Sequence, residues 1–117
     1  MPLTRVGATV TGPTGKSAAV ELLVDSGAMY SLLPDGIWQQ IELAPKRTMR
    51  FTLADGTTIE RRISECHFAL AGVDGHSPVV LGEPGDEALL GTVTLEVMGL
   101  MLNPFKRTLE PMRMLLA

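Results

Sequence analysis

Two runs rich in β-branched residues, Thr4 to Thr11 and Ala18 to Val24, flank Gly12-Pro13-Thr14-Gly15-Lys16, and the second run leads straight into Asp25-Ser26-Gly27. No other feature constrains the fold as much. It predicts a β-hairpin whose second arm, apolar through Val20-Glu21-Leu22-Leu23-Val24, delivers a carboxylate to a glycine-containing turn at its end. An Asp-Ser-Gly triplet alone is a common turn. Behind a buried strand it means more, because glycine lets backbone N–H groups approach the carboxylate, and a carboxylate so held is placed to polarise a water molecule.

The same grammar of short apolar runs and turn residues continues along the chain. Ser31-Leu32-Leu33 reads as a short strand, and Pro34-Asp35 opens a helical turn through Ile37, Trp38 and Ile41, spaced to share one face. Met49 to Leu53 and Thr57 to Ile63 are strand-like arms around Ala54-Asp55-Gly56, where Asp-Gly favours a tight hairpin because both residues tolerate positive φ. Cys66 to Leu70 and Val79 to Leu81 read as further strands separated by a polar loop, Gly72-Val73-Asp74-Gly75-His76. After the acidic segment from Gly82 to Glu87 come Leu89-Leu90-Gly91, a short helix from Thr92 to Met98 ended by Gly99 as a C-cap, and a late strand, Leu100 to Asn103. The tail from Arg107 to Ala117 carries Leu109, Met112, Met114, Leu115 and Leu116. That is too apolar for a free terminus and predicts packing against the domain or a second subunit.

The 117 residues suit one domain spanning 1–117, since two halves would each bury too little apolar surface. Only three Phe, one Trp and one Tyr are aromatic, so the core is expected to be built from Val, Leu, Ile, Met and Ala. A net charge of −3 with interspersed signs leaves no basic stripe for phosphates, which argues against nucleic acid. The single Cys66 cannot form an intramolecular disulfide, and Met1-Pro2-Leu3-Thr4-Arg5 is not followed by the apolar run of a secretory signal; both point to the cytoplasm. No stretch reaches the roughly 20 apolar residues a membrane span needs, so a soluble protein without membrane partners is expected.

From Arg5 to Asn103 the order and spacing of these features resemble the retropepsin-like aspartic peptidases. That family places Asp-Thr/Ser-Gly-Ala after such a strand, here Asp25-Ser26-Gly27-Ala28, and two apolar residues plus Gly before a late helix and strand, here Leu89-Leu90-Gly91. The resemblance implies an all-β, single-lobe acid protease fold with one or two short helices. It makes Asp25 the catalytic residue, Ser26, Gly27, Ala28, Leu90 and Gly91 its supports, and Leu53, Ala54, Asp55, Gly56 and Thr57 a flap over the substrate. Retroviral members usually carry Asp after the Ala and Arg after the late Gly, as an ion pair; here Met29 and Thr92 stand there. Both partners are lost together, so no orphan charge is left, and the change reads as a cellular or bacterial branch.

The chemistry of this class needs two carboxylates sharing one proton, because like charges about 3 Å apart cannot both ionise. The chain has one such triplet; Asp55-Gly56, Asp74-Gly75 and Asp86-Glu87 lack the pattern. A second copy must therefore supply the partner across a two-fold axis, with Ser26 holding the two loops together by resemblance. The expected substrate is a peptide lying as an extended strand between subunits, with Leu32, Leu33 and Leu90 as pocket walls. The alternative is a dimeric peptide-binding or scaffolding module of the same fold that no longer turns over substrate. No cofactor or metal is expected. Gly12 to Ser17 imitates a phosphate-binding loop, but Val10 stands where its first Gly belongs and a strand follows in place of a helix. Cys66, His67 and His76 lack finger-like ligand spacing. Asp86-Glu87 reads as solvated surface.

Overall fold

The first hairpin forms as expected, from β1 (Arg5–Thr11) and β2 (Ser17–Val24), paired antiparallel between Arg5↔Leu23 and Thr11↔Ser17. Its turn is closed by Gly12 N–H donating to Lys16 O at 2.9 Å and Gly15 N–H to Gly12 O at 3.1 Å, with Gly15 at φ +89°. A side chain at Gly12 would place its Cβ 1.9 Å from Ile41 O, so this glycine is there for close packing. These details belong to a computed structural model that describes residues 3–113 and Leu116; Met114, Leu115 and Ala117 of the apolar tail lie outside them.

The chain continues through β3 (Ser31–Leu33) and α1 (Asp35–Gln40). Trp38 and Ile41 are buried and Ile37 packs against the same core, the shared face expected from their spacing. Trp38 also donates its indole N–H to Gly82 O at 2.8 Å, which satisfies its one polar atom. Next come β4 (Arg47–Thr52), β5 (Thr58–Leu70), β6 (Val73–Leu81), β7 (Leu89–Leu90), α2 (Thr92–Met98), β8 (Leu100–Asn103) and β9 (Thr108–Pro111). Gly99 ends α2 in the left-handed conformation at φ +68°, as its C-cap position predicts.

One expectation is corrected here. The segment Gly72 to His76 is not a polar loop: β5 runs unbroken for 13 residues and pairs with β6 from Ile63↔Val80 to Leu70↔Val73. Only Ala71 and Gly72 form the turn, both at positive φ, +50° and +78°, which is the twist a two-residue hairpin demands. Asp74 and His76 face solvent while Ser77, Val79 and Leu81 are buried. This is period-two alternation on a half-exposed sheet.

Seven strands form one sheet in the order β1-β2-β7-β3-β6-β5-β4, and β1 also pairs with β5 through Thr9↔Ala69 to Thr11↔His67. That extra pairing closes six strands into a ring and leaves β4 outside it, as the free arm of a hairpin with β5. Apart from Phe68, the fully buried apolar side chains are aliphatic: Val10, Leu22, Leu33, Ile41, Val79, Leu81 and Leu90 are all at or below 1% exposed. β8 and β9 make a separate two-stranded sheet, and Leu102 and Leu109, opposite each other in its register, pack against the core. The described start of the tail thus packs as its apolar character requires. No helix among the described residues is long and apolar enough to cross a membrane.

Candidate active site

The insertion of β7 between β2 and β3 builds the site. β2 and β3 are consecutive in sequence, yet β7 pairs parallel with β2 (Leu23↔Leu89, Val24↔Leu90) and antiparallel with β3 (Leu32↔Leu89). The segment Asp25 to Tyr30 must therefore loop around the end of β7. Asp25 N–H donates to Leu90 O at 3.1 Å, and Ala28 N–H returns to Asp25 O at 3.1 Å. Within the loop Gly27 N–H donates to Asp25 Oδ1 at 2.9 Å, the carboxylate–amide contact that the triplet implied. Asp25 is partly buried, while Ser26 and Gly27 are exposed.

The loop is locked from its other side by α2. A helix leaves its first N–H groups without internal partners, and α2 has no side-chain cap. Thr92 N–H instead donates to Ala28 O at 3.0 Å and Val93 N–H to Met29 O at 2.9 Å. The helix end and the loop complete each other's backbone hydrogen bonding. These bonds join loop and helix through the backbone alone, with the uncharged residues Met29 and Thr92 at the junction. The approach is so close that a Cβ on Gly91 would lie 2.5 Å from the Tyr30 carbonyl carbon and 2.7 Å from Met29 O. Gly91 is required sterically, since its own φ of −94° is open to any residue.

Beside this loop lies a cleft of about 720 Å³. Its floor is Gly27, Ala28, Met29, Tyr30, Leu32, Val80 and Leu89, and its roof is the β4–β5 hairpin through Met49, Phe51, Leu53 and Ile59. Tyr30 meets Phe51 edge to face across it, ring centroids 5.9 Å apart. Charge enters the lining at Arg50, Arg61 and Asp86. Arg61 lies 3.5 Å from Glu83, and Asp86 Oδ2 accepts the Glu83 N–H at 2.8 Å.

The expected hairpin tip is present. Leu53 N–H donates to Thr57 O at 2.7 Å and Gly56, at φ +88°, donates its N–H to Leu53 O at 2.9 Å. Asp55 Oδ1 accepts both Thr57 Oγ1–H at 2.6 Å and Thr57 N–H at 2.9 Å. These bonds, the side-chain one first, hold the Asp55 carboxyl below its usual range. Of the five residues from Leu53 to Thr57 only Leu53 reaches the cleft; Ala54, Asp55, Gly56 and Thr57 form the exposed tip.

Among the expected pocket walls, Leu32 lines the cleft, but Leu33 and Leu90 are 0% exposed and belong to the core. Leu89 takes their place, because successive residues of a strand face opposite sides. Asp86 is likewise a lining residue, whereas Glu87 is exposed and pairs with Arg5 at 2.9 Å. Met49, Phe51 and Ile59 were not foreseen as lining. The signal was present: Met49 and Phe51 alternate along β4, Leu53 continues the period just past its end, and Phe51 faces Ile59 across the hairpin, so a period-two reading would have found that face. Away from the cleft, His67 Nε2 lies 2.8 Å from Asp74 Oδ2 and its ring meets that of His76 edge to face at 5.4 Å. These side chains partner one another across β5 and β6.

A closed six-stranded ring with β7 threaded between consecutive strands, an Asp-Ser-Gly loop at that junction and a hairpin over the adjoining cleft define a retropepsin-like acid protease lobe. The chain belongs to the aspartyl protease family, whose sequence profile matches residues 6–94. Its fold is similar to that of the Simian Foamy Virus (mac) protease solved in solution, with a TM-score of 0.58 over 79% of this chain and 91% of that one, at 20% identity. No curated protein matches the chain.

Proposed function

We infer that the chain is an aspartic endopeptidase that works as a homodimer, with Asp25 of each copy forming the catalytic pair. The observation that carries this reading is the setting of one carboxylate. Asp25 is pinned by Leu90 O and Gly27 N–H beside an apolar cleft, and the chain holds no second Asp-Thr/Ser-Gly triplet. Two copies related by a two-fold axis supply the pair with no further residue. One carboxylate, ionised, takes a proton from a water held between them. The other, protonated, donates a hydrogen bond to the scissile carbonyl, and the pair returns the proton to the leaving amine. Ser26, exposed next to Asp25, faces its counterpart across the axis.

A peptide substrate lies extended between the floor and the β4–β5 hairpin, which acts as the flap. Leu53 contributes its apolar contact and the tip from Ala54 to Thr57 supplies its shape. The lining around Met29, Tyr30, Leu32, Phe51 and Leu89 suits large apolar side chains. The test is cleavage of a diverse peptide library from acidic to neutral pH by wild type and by Asp25→Asn. Wild type is expected to release products and the variant, folded by circular dichroism, to release none. Equal cleavage by both refutes the reading, and a wild type that binds peptides but cleaves none identifies a binding module of the same fold.

A further inference from the structure

Three buried hydroxyls form a line whose direction chemistry fixes. Ser77 Oγ donates to the Pro78 carbonyl at 3.1 Å, and a carbonyl can only accept. With its one proton committed, Ser77 must accept from Thr94 Oγ1, 2.8 Å away. Thr94 then has no proton for Ser31, so Ser31 Oγ donates to Thr94 at 2.5 Å and itself accepts the Gly91 N–H at 2.9 Å. Every hydroxyl gives one bond and receives one. Ser31 and Thr94 are 0% exposed and Ser77 is 1% exposed, so bulk solvent does not reach the line.

The line crosses three elements: Ser31 opens β3, Ser77 lies in β6 and Thr94 sits in the first turn of α2. It ends on the peptide joining Leu90 and Gly91. The carbonyl of that peptide, Leu90 O, is the acceptor for Asp25 N–H, and its N–H is the donor to Ser31. One rigid peptide unit thus carries the hydroxyl line on one side and the Asp25 backbone on the other.

We propose that Thr94 is a positioning residue for Asp25, acting through Ser31 and the Leu90-Gly91 peptide to set where the carboxylate stands relative to its symmetry copy. This rests on the dimeric peptidase reading above. The physical reason is that the loop has no ion pair to fix it. Backbone bonds from Thr92 and Val93 hold its far end at Ala28 and Met29, while the hydroxyl line holds the end nearest Asp25. Removing the Thr94 hydroxyl strands a donor on Ser31 and an acceptor on Ser77, and both then re-aim within a closed core. A neutral line of this kind also resists changes in salt that would weaken an ion pair.

The test compares Thr94→Val, Thr94→Ser and Ser77→Ala with wild type. Two measurements are made on each: peptide cleavage, and amide hydrogen exchange in an Asp25→Asn background. Thr94→Val is expected to lower kcat by about 10 to 100-fold with KM changed less than about 2-fold, since displacement of a reacting group by up to about 1 Å acts on chemistry before binding. Thr94→Ser restores kcat to within about 3-fold. Exchange at the amides of position 25 and Gly91 quickens by more than about 10-fold when Thr94→Val is added to that background, while the β1–β2 amides keep their rates. Ser77→Ala removes Thr94's acceptor from the far end with a smaller loss of volume, and it moves both readouts in the same direction if Thr94→Val does not fold. Unchanged exchange at Asp25 and Gly91, or faster exchange with unchanged kcat, overturns the proposal. A wild type that cleaves nothing overturns the peptidase reading, and exchange then reports on the hydroxyl line separately.

Discussion

Replacing Gly91 by Ala adds one methyl group at the tightest junction of the site, and its cost follows from the contacts it meets. The new Cβ would lie 2.5 Å from the Tyr30 carbonyl carbon and 2.7 Å from both Met29 O and Tyr30 O. All three are backbone atoms, so no side chain can rotate away. Relief requires the loop and the start of α2 to separate by about 0.7 to 0.9 Å, in an interior packed too densely to absorb it. Such a shift stretches the Thr92 N–Ala28 O and Val93 N–Met29 O bonds, now 3.0 and 2.9 Å, past useful length. Losing two backbone bonds at about 1 kcal/mol each, together with overpacking of about 1–3 kcal/mol, gives a destabilisation of about 3–5 kcal/mol. The assay is urea unfolding of Gly91→Ala against wild type, read as a fall in midpoint at constant slope. A midpoint equal to that of wild type would refute the steric argument and, with it, the claim that α2 and the loop hold each other.

Two further outcomes follow from titration and burial. The Asp55 carboxyl is lowered from its ordinary 3.8 by its bonds to Thr57, so the hairpin tip gains support at pH above that value and loses it as pH falls through the folded value; the Thr57 amide resonance should therefore titrate with a midpoint below 3.8, and a midpoint at or above it contradicts the bonding. Burial pushes the Cys66 thiol from 9.0 up to about 12, so the neutral thiol's contribution to stability is complete below 9.0 and fades as pH climbs towards 12. A thiol reagent at pH 8 should label native Cys66 only as fast as the protein opens, and immediate full labelling contradicts that burial.

Local features made much of this legible in advance. The strand into Asp25, the Gly12 to Lys16 turn, the Asp55-Gly56 tip and the Gly99 cap each act within a few residues, so spacing and turn chemistry suffice to find them. The Gly72 to His76 segment was misread because an exposed sheet face shows polar residues and glycines just as a loop does, and only its pairing with β5 distinguishes the two. The hydroxyl line lay beyond sequence reading for another reason. Ser31 and Thr94 are 63 positions apart and Ser77 and Thr94 are 17 apart, and each alone is an ordinary polar residue until the insertion of β7 and the packing of α2 on β6 bring them together. The bonds that tie α2 to the Asp25 loop were hidden likewise, because backbone donors and acceptors carry no residue signature.

Catalysis by a shared proton requires that Asp25 work in pairs, one from each copy. The direct measurement mixes wild type with Asp25→Asn at fixed total concentration, lets the subunits exchange, and follows peptide cleavage against the wild-type fraction. If both carboxylates are needed, activity follows the square of that fraction, and an equal mixture retains about a quarter of the wild-type rate. Retention of about half, along a straight line, would mean that each chain cleaves alone and would contradict the paired mechanism.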